Sequence, residues 1–243
     1  MGSYIINADD FGMNEDVSNA IVKAFIEKRI NRTSIMVNME YFEEGYSKSI
    51  KYDFSSAIGL HLNLTEGMPL TKKIKEYELF CNKDGFFNGE IMQDNYHRVL
   101  PLPKNVKNAV YEEIDAQFRK YLDYYAQIGT YHMDSHHHIH KNMNILPLCL
   151  DVAKKYKFRY IRYASTFGSM INCLYNKSVN NYIRRNMKTP YYVLFNSVSD
   201  YLLKSNQTRL FDYFEVECHP RDVDGILFDG DIQLPLLSKY ESN

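Results

Sequence analysis

The spacing of apolar and polar positions divides the chain into short runs that switch repeatedly between a period of two and a helical period. Residues 3–8 predict a first strand, after which Val17, Ala20, Ile21, Ala24 and Phe25 recur at the spacing of one helix face. Glu15 and Asp16 precede that face, where acidic groups favour a helix amino end. Residues 33–38 predict a second strand and residues 41–50 a weakly amphipathic helix. Residues 57–64 predict a third strand, with Gly59, His61 and Asn63 on one face and Leu60, Leu62 and Leu64 on the other. From 65 to 106 the periodicity fades among Gly67, Pro69, Gly85, Gly89, Pro101 and Pro103. A loop of that length inside a domain reads as a lid or binding loop, or else as a decorative insertion. Val110, Ile114, Phe118 and Leu122 then mark a strong helix with Gly129 as its C-cap. Residues 145–156 predict a helix, 158–163 a strand carrying Arg162, 167–187 a helix, and 213–218 a last strand whose Glu215 and Glu217 share one polar face.

Several of these strands end in side chains able to bind metal or move protons. The first delivers Asp9 and Asp10, the third His61, and the last His219. The stretch Thr130–Lys141, TYHMDSHHHIHK, holds five of the eight histidines together with Asp134. Extended, it would turn Asp134, His136, His138 and His140 one way and His137 the other. Imidazole and carboxylate suit zinc or a similar divalent ion, with an outer carboxylate such as Asp134 fixing ring orientation. Taken singly, each segment has a plainer reading: a His-rich surface tract, or Asp and Asn serving a local turn. Together they match what a parallel β/α barrel collects at the carboxyl ends of its strands. The expected fold class is therefore α/β, a single-domain, TIM-barrel-like chain over residues 1–243 with its active site at those ends. Arg162 would either hold a catalytic carboxylate or be an ordinary surface cation.

Composition narrows the function. With 29 basic and 30 acidic side chains, net charge −1 and 45% hydrophobic residues, the chain can bury a full core and has no global attraction to nucleic acid or an acidic membrane. It carries neither a signal-peptide pattern nor an apolar run of spanning length, so a soluble, cytoplasmic protein is expected. Cys81, Cys149, Cys173 and Cys218 lack CxxC spacing and predict reduced, mostly buried thiols. With no Trp, stacking against a sugar would fall to the 21 Tyr and 14 Phe, most of which the core must claim.

Four ordered segments carry a resemblance. Asn7-Ala8-Asp9-Asp10-Phe11-Gly12, Gly59-Leu60-His61-Leu62-Asn63-Leu64, His132-Met133-Asp134-Ser135-His136-His137-His138 and Cys218-His219-Pro220 resemble the signature segments of the YdjC-like carbohydrate deacetylases, which include chitooligosaccharide deacetylases. The likeness runs from the first strand to about residue 220. It implies a distorted (β/α) barrel holding one divalent metal ion, Mg2+ or Zn2+, through Asp10, His61 and His136, with Asp9 as general base and His219 as general acid. The choice of His136 over His138 or His140 rests on the family's Asp-Ser-His spacing. Arg221 stands where members often have Gly, and the tail Asp222–Asn243 is short and atypical. The implied reaction releases acetate from N-acetylated amino sugars or chitooligosaccharides. The expected partner is a small carbohydrate, without nucleic acid or membrane, and a homodimer stays open. A phosphoesterase on a similar barrel and a non-catalytic sugar-binding protein are the rival readings; the chain has no glycine-rich phosphate loop and no strong basic cluster to favour the first.

Overall fold

The computed structural model describes residues 3–89, 100–188, 190–205, 213–230 and 234–236. Part of the expected lid, residues 90–99, and residues 231–233 and 237–243 of the tail lie outside them.

Seven strands, β1 (Ser3–Phe11), β2 (Arg32–Ile35), β3 (Ile58–Leu62), β4 (His132–Ser135), β5 (Tyr160–Ile161), β6 (Val193–Phe195) and β7 (Tyr213–Cys218), form a wholly parallel sheet in the order β5-β4-β3-β2-β1-β7-β6. Among the described residues no β5–β6 pairing closes the ring, which makes the α/β fold a distorted, open barrel. Among the described residues six α-helices run between the strands: α1 (Glu15–Ile26), α2 (Phe42–Lys51), α3 (Lys104–Tyr125), α4 (Leu146–Lys155), α5 (Met170–Asn186) and α6 (Val198–Ser205). Every residue of β2, β3 and β4 is buried, as expected when both faces of a parallel sheet are covered. One face packs Ile58, Leu60 and Leu62 into the apolar core, and the other carries the polar groups of the barrel interior.

The local reasons for these elements are mostly those read from the pattern. Asn14 caps α1 by accepting a hydrogen bond from the Val17 amide at 3.0 Å, and Val17, Ala20, Ile21 and Ala24 form its buried face. Helix α3 buries Val110, Ile114, Phe118, Tyr121 and Tyr125. Gly129 is not its cap: the helix is capped at Ala126, and Gly129 is required because a Cβ there would collide with the Tyr121 hydroxyl. Nor is β7 the last strand. An antiparallel sheet of β8 (Pro220–Val223), β9 (Ile226–Asp229) and β10 (Leu234–Pro235) follows it, its first turn made by Asp224 and Gly225, both at positive φ. Asp-Gly suits such a two-residue hairpin. The hairpin docks on α1 through Lys23 Nζ, 2.8 Å from Asp222 and 2.7 Å from the Gly225 carbonyl. No described helix is long and apolar enough to cross a membrane. Cys81, Cys149 and Cys218 are buried thiols, and Cys173 is half-buried.

Candidate active site

The carboxyl ends of β1, β3, β4 and β7 surround a cleft of about 380 Å³ lined by Asp9, Asp10, His61, His136 and His219, with Glu66, Glu217 and Arg221 on its walls. A regular strand would send Asp9 and Asp10 to opposite faces. Asp10 instead takes a left-handed φ of 69°, and the β1–β2 register slips between Ala8 and Phe11. This bulge brings both carboxylates to the same cleft, and strain at a non-glycine residue of this kind is characteristic of functional sites.

Asp10, His61 and His136 offer ligand atoms within 4.8 Å of one another, all three residues buried. Asp10 Oδ1 lies 3.1 Å from His61 Nε2 and 2.7 Å from His136 Nδ1. The other nitrogen of His61 is held by Asp134 Oδ1 at 2.8 Å and Ser34 Oγ at 3.1 Å, which turns Nε2 toward Asp10. That Nε2 is buried without a well-aligned hydrogen bond. Burial opposes charge on His61, yet the neighbouring Asp134 and Asp10 carboxylates push it up to about 10. His136 is raised in the same way by Asp10 and Glu66 against its burial, and both histidines hold Asp10 well below the usual carboxylate range. A buried carboxylate demanding positive charge from two imidazoles, one with an orphaned nitrogen aimed at it, fits a divalent cation.

Asp9 stands beside this group but is held elsewhere. Arg162 is completely buried and no surface cation: it grips Asp9 with both terminal nitrogens at 2.5 and 2.7 Å. The same guanidinium reaches Asp134 at 2.8 Å, Glu215 at 2.7 Å and Glu217 at 3.4 Å. Asn7 Nδ2 donates to Asp9 at 2.7 Å and to Asp134 at 3.1 Å. Burial alone would raise the Asp9 carboxyl, but Arg162 outweighs it and holds Asp9 below the carboxylate range. Four acids share one arginine, and burial pushes Glu217, its most distant partner, up to about 8. On the far side His219 follows β7, its Nε2 3.9 Å from Asp10 Oδ2 and its side chain 22% exposed to the cleft.

The histidine-rich stretch is not extended. β4 ends at Ser135, and residues His136–Lys141 form a tight helical turn in which His137 and His138 take left-handed φ values of 49° and 52°. The expected common face therefore does not form. His136 alone joins Asp10 and His61, while His138 Nε2 lies 3.2 Å from Glu217 Oε1 and His137 meets the Thr65 hydroxyl at 3.1 Å. His140 ties the turn down, bridging the Ser135 hydroxyl at 2.5 Å and the Arg162 carbonyl at 3.2 Å. His132 packs under Gly59, where any Cβ would collide with its ring.

The family model of the YdjC-like proteins matches residues 3–225. This chain belongs to the YdjC-like family. A Vibrio cholerae O1 relative (strain ATCC 39541) named carbohydrate deacetylase is 31% identical over 223 residues, covering 92% of this chain and 80% of its own. One from Clostridium beijerinckii with the same name is 27% identical over 98% of this chain and 89% of its own. A third, from Brevibacillus brevis, is 33% identical over 68% of this chain and 60% of its own. In fold, the YdjC-like chain is similar to a solved Enterococcus faecalis V583 protein described as a candidate for cellobiose-phosphate cleavage, with TM-score 0.68, 24% identity, and coverage of 91% of this chain and 82% of that one.

The YdjC-like site contains groups to which pattern alone assigned no role. Glu66, in the loop after β3, puts Oε2 3.0 Å from His136 Nε2. Glu215 and Glu217 line the interior, not solvent, and Arg32 joins Arg162 on Glu215 at 2.8 Å. The one sequence signal for them was the alternation of acids within an otherwise apolar β7.

Proposed function

We propose that the chain is a metal-dependent carbohydrate deacetylase that hydrolyses N-acetyl groups on amino sugars or chitooligosaccharides. The observation carrying this reading is the adjacency, within one cleft, of the Asp10–His61–His136 group, an ionised Asp9 fixed by Arg162, and the cleft-facing His219. The curated relatives' name supports sugar deacetylation.

Asp10, His61 Nε2 and His136 would hold the cation. When bound, a divalent ion supplies Lewis acidity for the acetyl carbonyl and acidifies water, and three protein ligands leave positions open for both. Two imidazoles and one carboxylate suit Zn2+ and several other divalent transition metals better than Mg2+, which prefers oxygen ligands. The residues do the rest. Asp9, kept ionised by Arg162 and Asn7, accepts a proton from the attacking water while its orientation stays fixed. Water oxygen bonds to the acetyl carbon, and the tetrahedral species collapses with cleavage of the C–N bond. His219 delivers a proton to the departing nitrogen, so the products are acetate and a free amine.

Acetate release from N-acetylated mono- and disaccharides, with and without chelator, tests the reading. Acetate formed by the replete protein and lost on chelation is the expected result. Phosphate release without acetate, from a panel of phosphorylated substrates, would favour a phosphoesterase, and sugar binding without turnover a binding protein.

A further inference from the structure

The two histidines of the Asp10 group are supported unequally. His61 is backed by Asp134, fully buried at the end of β4 and itself gripped by Arg162. His136 is backed by Glu66, whose side chain is 42% exposed and which belongs to the loop after β3. Each ring faces Asp10 with one nitrogen and is held on the other by a second carboxylate, at 2.8 Å for Asp134 and 3.0 Å for Glu66.

Glu66 is not a loosely placed surface acid. Its amide donates to Asn63 Oδ1 at 3.0 Å, and its carbonyl accepts from Asn63 Nδ2 at 2.7 Å and Asn38 Nδ2 at 3.1 Å. Asn63 is fully buried and is itself clamped by Gln117 of α3, whose amide exchanges hydrogen bonds of 3.0 and 2.7 Å with the Asn63 backbone. The backbone of this cleft-facing acid is thus fixed by a buried amide network, and only its carboxylate reaches the solvent-filled space.

We propose that Glu66 is a positioning residue for the metal centre: it orients His136 toward the cation from outside the ligand set, and so couples the loop after β3 to metal affinity. This deepens the deacetylase reading and rests on its metal site. An exposed ion pair usually contributes little, which would make Glu66 dispensable. Outer carboxylates on metal-ligating histidines behave differently, because losing one frees the ring to turn and weakens the metal by roughly 10–100-fold.

The test titrates Zn2+ alone, in competition with a chromophoric chelator, into wild type, Glu66→Gln, Glu66→Ala and His136→Ala, and records ¹⁵N chemical shifts of the His136 ring in the metal-free forms. Glu66→Ala should bind Zn2+ about 10–100-fold more weakly than wild type and move the Nε2 resonance, whereas His136→Ala should lose specific binding. Glu66→Gln, which keeps an acceptor oxygen, should recover most of the affinity. Thermal unfolding of metal-free Glu66→Ala should match wild type, which separates positioning from a general folding defect. Affinity within about twofold of wild type in Glu66→Ala would overturn the inference. So would complete loss equal to that of His136→Ala, since Glu66 would then be a ligand. Wild type that takes up no divalent ion at all would overturn the metal reading and this role together, whereas tight Zn2+ binding by wild type and Glu66→Ala alike removes Glu66 alone.

Discussion

Arg162→Met tests the electrostatic centre of the molecule at nearly constant side-chain volume. It removes one buried charge and leaves Asp9, Asp134, Glu215 and Glu217 around an apolar side chain. Breaking a buried pair from one side costs about 3–5 kcal/mol, because the stranded charges are desolvated without compensation. Arg32 still faces Glu215, Asn7 still donates to Asp9 and Asp134, and a carboxyl can relieve itself by taking a proton, so the loss should stay in that range. For a chain of this size it corresponds to a fall in Tm of roughly 6–20 °C. The pH dependence has a definite sign. Arg162 depresses Asp9 below its ordinary 3.8, so the stability contributed by Asp9 is present above that value and is lost as pH falls through the lower folded value. Urea unfolding of metal-free protein should therefore show the largest gap between wild type and Arg162→Met near neutral pH, narrowing below about pH 4. A gap under about 1 kcal/mol at pH 7 would refute the idea that Arg162 neutralises these acids.

Asp9→Asn should keep the metal while losing roughly 10²–10⁴-fold in turnover, because shape is preserved and the proton acceptor is removed; near-normal acetate release would exclude Asp9 as base. Glu217, raised to about 8 from 4.5, keeps its proton in the fold over a range where the unfolded chain ionises, so it erodes stability as pH rises from about 4.5 to 8. Metal-free Glu217→Gln lacks that slope and should gain steadily on wild type across this window in unfolding titrations; parallel curves would count against it. Gly59→Ala pushes a methyl into the His132 ring and should destabilise by about 1–3 kcal/mol, read from urea midpoints, with no change in midpoint as the contrary result.

Much of the barrel was legible because parallel strands and their helices leave strong periodic marks: β1, α1, β3, α3 and β7 all fall where the apolar spacing put them. Strand ends also advertised Asp10 and His61, since a polar group that closes an apolar run stands where a barrel gathers its reactive side chains. Departures began where backbone geometry breaks its period. The left-handed Asp10 aligns two neighbouring acids that alternation would separate, and the left-handed His137 and His138 scatter a histidine set that alternation would gather. β6 spans three residues and β10 two, too short for any period to register. The polar face of β7 is visible in sequence but not what it faces: it lines the barrel interior, where Arg32 and Arg162 from β2 and the end of β5 meet its acids. Glu66 lay hidden in a loop without periodicity, and only the fold brings it to His136.

The most direct measurement is the divalent-ion content of purified wild type and His61→Ala by elemental analysis after reloading and exhaustive dialysis. A centre built on Asp10, His61 and His136 predicts close to one ion per chain in wild type and a large loss in His61→Ala, with acetate release falling in parallel. Equal ion content in the two proteins would contradict it.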